Sequence, residues 1–149
     1  MGRRGELRFV FQMVIFALIL ISPEFDSFSF PLWLRGIGLL VLLAGGAVGT
    51  LGVIALGRNL SPFPKPKEGG FLVSNGVYGL VRHPIYSGLV LGTLGWSLVT
   101  DAPLGLFLAA ALLIFFEFKS RREEKWLVET YPDYSAYQAR VRKLIPFIY

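Results

Sequence analysis

The chain has no cysteine and a single histidine, His83, among its 149 residues. Those shortages exclude disulfides, Cys-ligated zinc, iron–sulfur clusters, thiol catalysis and a histidine-rich metal centre, so no metal is expected. Charge is scarce too: Asp, Glu, Lys and Arg make up 17%, against about 25% in a typical soluble domain. Apolar side chains fill the difference. They reach 54%, and a mean hydropathy of +0.58 is too high for an ordinary soluble domain of this size. The net charge of +5 fits either nucleic-acid binding or cations gathered at the ends of membrane spans. Their positions along the chain decide between the two.

Residues 9–21, 36–56, 84–100 and 102–116 carry no formal charge. Crossing a hydrocarbon core of about 30 Å at about 1.5 Å per residue takes roughly 20 residues. The shorter runs reach that length by recruiting flanking residues whose long side chains snorkel. The expected fold is an all-α integral membrane protein, one domain over residues 1–149. Its spans are expected at about 8–22, 33–56, 84–100 and 102–118, with a loop at 57–83 and a C-terminal segment at 119–149. The first run, preceded by Arg3, Arg4 and Arg8, also fits a secretory signal. Ser22-Pro23-Glu24 offers no small-x-small cleavage site, however, so a span is expected there.

All but one of the 15 Lys and Arg residues fall before the first span, between the second and third, or after the fourth; the exception is Arg35. By the positive-inside rule both termini and the loop at 57–83 face the cytoplasm, and the basic total needs no nucleic acid. The turn Asp101-Ala102-Pro103 is tight enough to make the last two spans a helical hairpin. Gly45/Gly49 and Gly88/Gly92 provide small-xxx-small faces, read as sites of close helix packing within the chain or in a dimer. The stretch Ser61-Pro62-Phe63-Pro64-Lys65-Pro66-Lys67 and the Gly69-Gly70 and Asn75-Gly76 signals mark the loop as non-helical. Its position makes a lid plausible. Pro132 is expected to end a helix that continues from the fourth span, with a second short helix over 134–144.

Polar chemistry collects on the cytoplasmic side. Gly76-Val77-Tyr78 and Arg82-His83-Pro84-Ile85-Tyr86-Ser87-Gly88 place the only histidine directly ahead of the third span, with Pro84 suited to the first helical turn. One reading is an interfacial belt, Tyr78 and Tyr86 at headgroup level and Arg82 on phosphate. After the fourth span, Lys119 and Glu123 share a helix face at i, i+4. Tyr131, Tyr134, Tyr137, Arg140, Val141 and Leu144 form an amphipathic stripe that lies on the membrane or folds over the loop.

Taken together, Leu72-Val73-Ser74-Asn75-Gly76-Val77-Tyr78, Arg82-His83-Pro84-Ile85-Tyr86-Ser87-Gly88, Glu123-Glu124 with Leu127, then Tyr134, Tyr137, Arg140-Val141 and Ile145-Pro146 resemble the isoprenylcysteine carboxyl methyltransferase family of integral membrane enzymes. The resemblance covers residues 57–147. It implies S-adenosylmethionine as cofactor, held in a cytoplasmic pocket formed by the loop and the C-terminal helical segment, and a lipophilic or membrane-embedded acceptor reached from the bilayer lipid. It puts cofactor contacts on Phe71, Leu72, Val73, Tyr78, His83, Pro84, Ile85, Tyr86, Glu123 and Glu124. Catalytic or substrate-contacting roles fall on Glu123, Lys119 and Arg122. The chain departs from the family pattern at Lys119, where relatives carry arginine. Lysine keeps the charge and loses the bidentate fork, so Arg121 or Arg122 can share the role. Tyr131-Pro132 stands in place of the usual Phe-Gly.

These residue types suit methyl transfer, which needs a cationic donor held in line with a nucleophile away from water. Tyrosine faces attract a sulfonium. A carboxylate acceptor is already ionised at neutral pH and needs no base. A thiol or amine acceptor would need one, and Glu123 or Glu124 is then the candidate. No Gly-x-Gly-x-x-Gly follows a strand, so a Rossmann site is excluded. Two other classes stand beside this reading: a non-enzymatic scaffold or lipid-binding protein, and a nicotinamide-dependent membrane reductase. Oligomeric state is open.

Overall fold

The computed structural model describes residues 3–25, 28–61 and 69–146, with side chains from residue 9 onward. The proline-rich stretch expected as a lid lies largely outside these residues. Among the described residues there are five α-helices: α1 (Arg3–Ile21), α2 (Leu32–Leu56), α3 (Pro84–Val99), α4 (Pro103–Thr130) and α5 (Tyr134–Arg140). Short 3-10 turns occupy Ser22–Phe25, Gly57–Asn59 and Gly76–Gly79. Among the described residues there is no strand, only an isolated parallel bridge between Val81 and Arg142.

Two helices are long and apolar enough to cross a membrane: α2 with its 3-10 extension, Leu32–Asn59, and α4, each segment 28 residues. The apolar stretches of α1 and α3 are shorter. Exposed Trp33, Leu40, Ile54 and Phe107 give α2 and α4 an apolar outer surface, as a bilayer-facing helix requires. At about 1.5 Å per residue α4 is about 42 Å long, more than the hydrocarbon core. Its uncharged part ends at Phe116, and the charged remainder from Glu117 extends beyond it.

α2 packs chiefly against α3, α3 against α4, and α4 against α1. The α2–α3 seam is built from glycine. A Cβ on Gly45 would sit 2.5 Å from the Gly92 nitrogen, and one on Gly88 would sit 2.5 Å from the Gly49 nitrogen. The two small-xxx-small faces therefore meet each other inside the chain. Ile15, Ile19, Val90, Leu112 and Phe116 form the buried apolar core between α1, α3 and α4.

The hairpin between α3 and α4 turns at Asp101, whose φ of 57° is left-handed, a conformation aspartate tolerates better than most residues. Its carboxylate accepts the Phe30 N–H at 2.9 Å and pairs with Arg35, so the lone basic residue on that side is tied down. α4 stops at Thr130, before Pro132, because the residue preceding a proline disfavours helical backbone. α5 ends at Arg140, four residues earlier than expected. Beyond it the chain is extended and pairs with the loop: the Arg82 N–H donates to Arg142 O at 2.8 Å and the His83 N–H to Lys143 O at 3.1 Å.

The seam makes a direct prediction. Gly88→Ala drives a methyl into the α2 backbone and is expected to cost about 1–3 kcal/mol. Gly46, in the same glycine-rich stretch of α2, has nothing within 4 Å of its would-be Cβ, so Gly46→Ala is expected to leave stability unchanged or raise it slightly. Thermal unfolding of the two variants in detergent checks this, and equal effects would contradict the packing.

Candidate active site

The site is assembled where three pieces of chain converge: the loop before α3, the charged end of α4, and the segment around α5. Arg82 joins them. Its Nε donates to Glu124 Oε1 at 2.8 Å, and its Nη1 donates to the carbonyl of Gln138 at 3.1 Å and to that of Val141. The Arg82 side chain is 11% exposed, so it points inward rather than onto lipid phosphate. Tyr78 and Tyr86 do the same. Tyr78 is buried, its backbone carbonyl accepts the Tyr137 hydroxyl at 2.6 Å, and Tyr86 stacks on Phe116 with ring centroids 4.3 Å apart. The interfacial-belt reading is thereby replaced. The tyrosine stripe of the C-terminal segment folds over the loop.

His83 caps α3, with Pro84 at the first helical position. Its Nε2 lies 3.0 Å from Glu124 Oε1, its Nδ1 lies 3.8 Å from Glu123 Oε2, and its ring stacks on Tyr86 at 5.4 Å. The Tyr86 hydroxyl donates to Glu123 Oε1 at 2.5 Å. Ser87 Oγ donates to Leu144 O at 2.6 Å and fastens the chain after α5 onto α3.

The two adjacent glutamates titrate in opposite directions. Burial pushes the Glu123 carboxyl upward, partly offset by His83, the Tyr86 hydrogen bond and Lys119. Burial also acts to raise Glu124, but hydrogen bonds from His83 and Arg82 outweigh it and pull that carboxyl down to about 2. Burial lowers the Lys119 ammonium, opposed by the charge of Glu123. Buried Tyr78 is pushed up to about 12, by desolvation and by Glu123.

A cavity of about 390 Å³ opens among these residues, within the range of roughly 300–1,000 Å³ usual for small-molecule sites. Phe71, Leu72, Val73, Tyr78, His83, Ile85, Tyr86, Lys119 and Glu123, all singled out from the sequence, line it. Three others do not reach it. Glu124 lies behind His83, turned toward Arg82 and Gln138. Pro84 is buried against α2, within 3.1 Å of the position a Gly52 Cβ would take. Arg122 is exposed on the far side of α4, in a shallow depression shared with Phe115, Phe118 and Lys119.

Some wall residues escaped the sequence reading. Gln12 of α1 accepts a hydrogen bond from Lys119 Nζ at 3.0 Å. Asn59 clips the loop ends together, donating to Phe71 O at 3.0 Å and accepting from the Phe71 N–H at 3.4 Å. Tyr134 and Tyr137, read from the sequence as a packing stripe, also form part of the wall. Tyr134 is 2% exposed, and its hydroxyl has no hydrogen-bond partner among the described residues. A buried hydroxyl left unpaired in a cavity wall is a group that a polar ligand satisfies.

The chain was compared with known proteins. A family model described as phospholipid methyltransferase matches residues 33–134. The protein-S-isoprenylcysteine O-methyltransferase of Saccharomyces cerevisiae is 32% identical over 133 residues, 85% of this chain and 56% of the relative. A cobalt-zinc-cadmium resistance protein, CzcN, of Cupriavidus metallidurans is 26% identical over 145 residues, 97% of this chain and 63% of that protein. Among solved structures, the eukaryotic intramembrane Ras methyltransferase ICMT superposes with a TM-score of 0.71 at 25% identity, covering 99% of this chain and 55% of that one. The chain thus spans a little over half the length of the yeast relative and of the solved structure.

Glu124 provides a test of the convergence. A carboxyl held at about 2 against an ordinary 4.5 stabilises the fold fully above about pH 4.5, and that contribution is lost as pH falls toward 2. Glu124→Gln leaves Arg82 buried without its counter-charge and is expected to cost about 3–5 kcal/mol at neutral pH. The gap between wild type and variant should narrow on acidification. Unfolding followed in detergent from neutral pH to about pH 3 reads this, and a gap independent of pH contradicts it.

Proposed function

Because the chain belongs to the phospholipid methyltransferase family and is similar to its isoprenylcysteine-type members, we propose that it is an S-adenosylmethionine-dependent membrane methyltransferase with a lipophilic acceptor. The observation that carries the reading is the cavity itself. It places an aromatic ring stack, a half-buried carboxylate, a half-buried cation and an unpaired tyrosine hydroxyl around one space of ligand size.

The residues present fit the cofactor. Glu123 can accept hydrogen bonds from an amine or ribose hydroxyl. Phe71, Leu72 and Val73 offer apolar wall and backbone polar groups for an adenosine. The faces of Tyr78 and Tyr86 suit a sulfonium, an attraction worth about 0.5–2 kcal/mol. Bound there, the cofactor supplies a methyl group on a positively charged sulfur. The walls then hold donor and acceptor in line and exclude water, which otherwise competes as nucleophile.

The acceptor we favour is a carboxylate on a prenylcysteine-like amphiphile, as the names of the relatives suggest. Its oxygen is ionised at neutral pH. Methyl transfer to that oxygen would exchange an S–C bond for a C–O bond and leave a neutral thioether, so the residues of this chain would have no proton to remove. Should the acceptor be a thiol or another group that must lose a proton, Glu123 is the base, its carboxyl raised and on the cavity wall. Glu124 is unsuited, locked by Arg82 and His83.

The membrane arrangement belongs to the same proposal. α1 to α4 act as four spans of a single domain, and the cavity, loop and both termini face the cytoplasm. The distribution of Lys and Arg supports this orientation, which also gives a water-soluble cofactor access from the cytosol.

Calorimetric titration of the detergent-purified protein with S-adenosylmethionine and S-adenosylhomocysteine tests the reading. Saturable binding of both is expected, weakened at least tenfold, about 1.4 kcal/mol, by His83→Ala and by Glu123→Gln, and indifferent to a nicotinamide dinucleotide. A folded protein that binds neither sulfur compound overturns it.

A further inference from the structure

Gln12 is the one polar side chain in residues 9–21 of α1. It is 9% exposed, lines the cavity, and lies outside the segment matched by the family model. A polar group on an apolar helix is costly unless it is paired. Its partner is Lys119, 107 residues away, whose Nζ donates to Gln12 Oε1 at 3.0 Å. An ammonium only donates, so the amide must present its oxygen.

Lys119 is placed unusually for a cation. Its ammonium lies 5.1 Å from the Tyr86 ring centroid and 5.9 Å from that of Phe116. No carboxylate comes within 4.0 Å of it among the described residues. Glu123, one turn further along α4, spends one oxygen on the Tyr86 hydroxyl and turns the other toward His83. The direct contacts of the cation are therefore a neutral amide and two ring faces, while the charge of Glu123 acts on it from one turn away without touching it. Two of its three donor positions remain for something else. It lines the inner cavity and also the outer depression on α4, so it stands at the seam where a ligand from the lipid side would meet the site.

We propose that Gln12 is a positioning residue that fixes the Lys119 ammonium at the cavity wall without neutralising it, and so makes the site prefer acceptors with an anionic head. This deepens the methyltransferase reading and rests on it for the location of the acceptor. A carboxylate at position 12 would hold Lys119 as well as the amide does, through a stronger charge-assisted bond, and would remove the charge that the ligand needs. An aliphatic residue would free the lysine to snorkel away from the cavity.

The experiment uses S-farnesyl-N-acetylcysteine and its primary amide, an acid and a neutral near-isostere. Both are titrated into the full chain in detergent with S-adenosylhomocysteine present. The wild type is expected to bind the acid at least about tenfold more tightly than the amide. Gln12→Glu is expected to lose that preference, its affinity for the acid falling to that for the amide, with the unfolding temperature read as the check that the variant is folded. Gln12→Leu should reduce the preference partway. A purely structural Gln12 predicts that a folded Gln12→Leu keeps the full wild-type preference for the acid, and that result overturns the proposal. So does a wild type with no preference for the acid. Failure of S-adenosylhomocysteine itself to bind is a separate outcome that strikes the methyltransferase reading.

Discussion

The Arg82 guanidinium ties together the three pieces of chain that form the cavity. It binds a carboxylate on α4 and two carbonyls on the segment around α5, while its own backbone N–H pairs with Arg142. Desolvating a guanidinium is expensive, and only a full set of acceptors offsets it. Glu124 is therefore committed to Arg82 and to His83, and His83 is turned so that its other nitrogen approaches Glu123. From there the network continues through Tyr86 and its ring stack to Lys119 and Gln12. One buried cation thus fixes the orientation of most polar groups around the cavity.

The helices supply the frame for that network. Glycine contacts bring the α2 and α3 backbones together, and Gly52 lets α2 meet Pro84 and Ile85 at the start of α3, directly beneath the cavity. α4 contributes through its length, because its apolar part packs against α1 and α3 while its charged extension carries Lys119, Glu123 and Glu124 past the end of the core. The result is a half-open space with an aromatic floor, a carboxylate on one side and, at the seam with α1, a cation that no carboxylate touches directly.

How far this was readable from sequence depends on the kind of contact. The Arg82-His83-Pro84 cluster, the Lys119/Glu123 face and the loop residues Phe71 to Val73 were legible because local spacing and the family pattern marked them. Glycine spacing likewise marked the two faces that meet in the α2–α3 seam, but not whether they pack within the chain or in a dimer. Glu124 was assigned to the site beside Glu123, and Arg122 as a stand-in for the arginine that relatives carry at Lys119, but successive residues on a helix are rotated by about 100°. That rotation sends Glu124 to Arg82 and Arg122 to the surface. Gln12 and Asn59 carry no local signal: their roles come from partners 107 and 12 residues away, which only the tertiary fold brings near. The shortness of α5 has the same origin, since the backbone after Arg140 is taken by pairing with Arg82 and His83.

The most direct measurement of the central claim is methyl transfer itself. Purified protein in detergent or lipid nanodiscs is incubated with S-adenosylmethionine labelled in the methyl group and with a prenylcysteine acid, and label is counted in base-labile ester. Time-dependent ester formation is expected that needs the free carboxylate and falls at least about tenfold in Glu123→Gln at subsaturating S-adenosylmethionine. Label that never leaves the donor, in a preparation that binds both compounds, would contradict it.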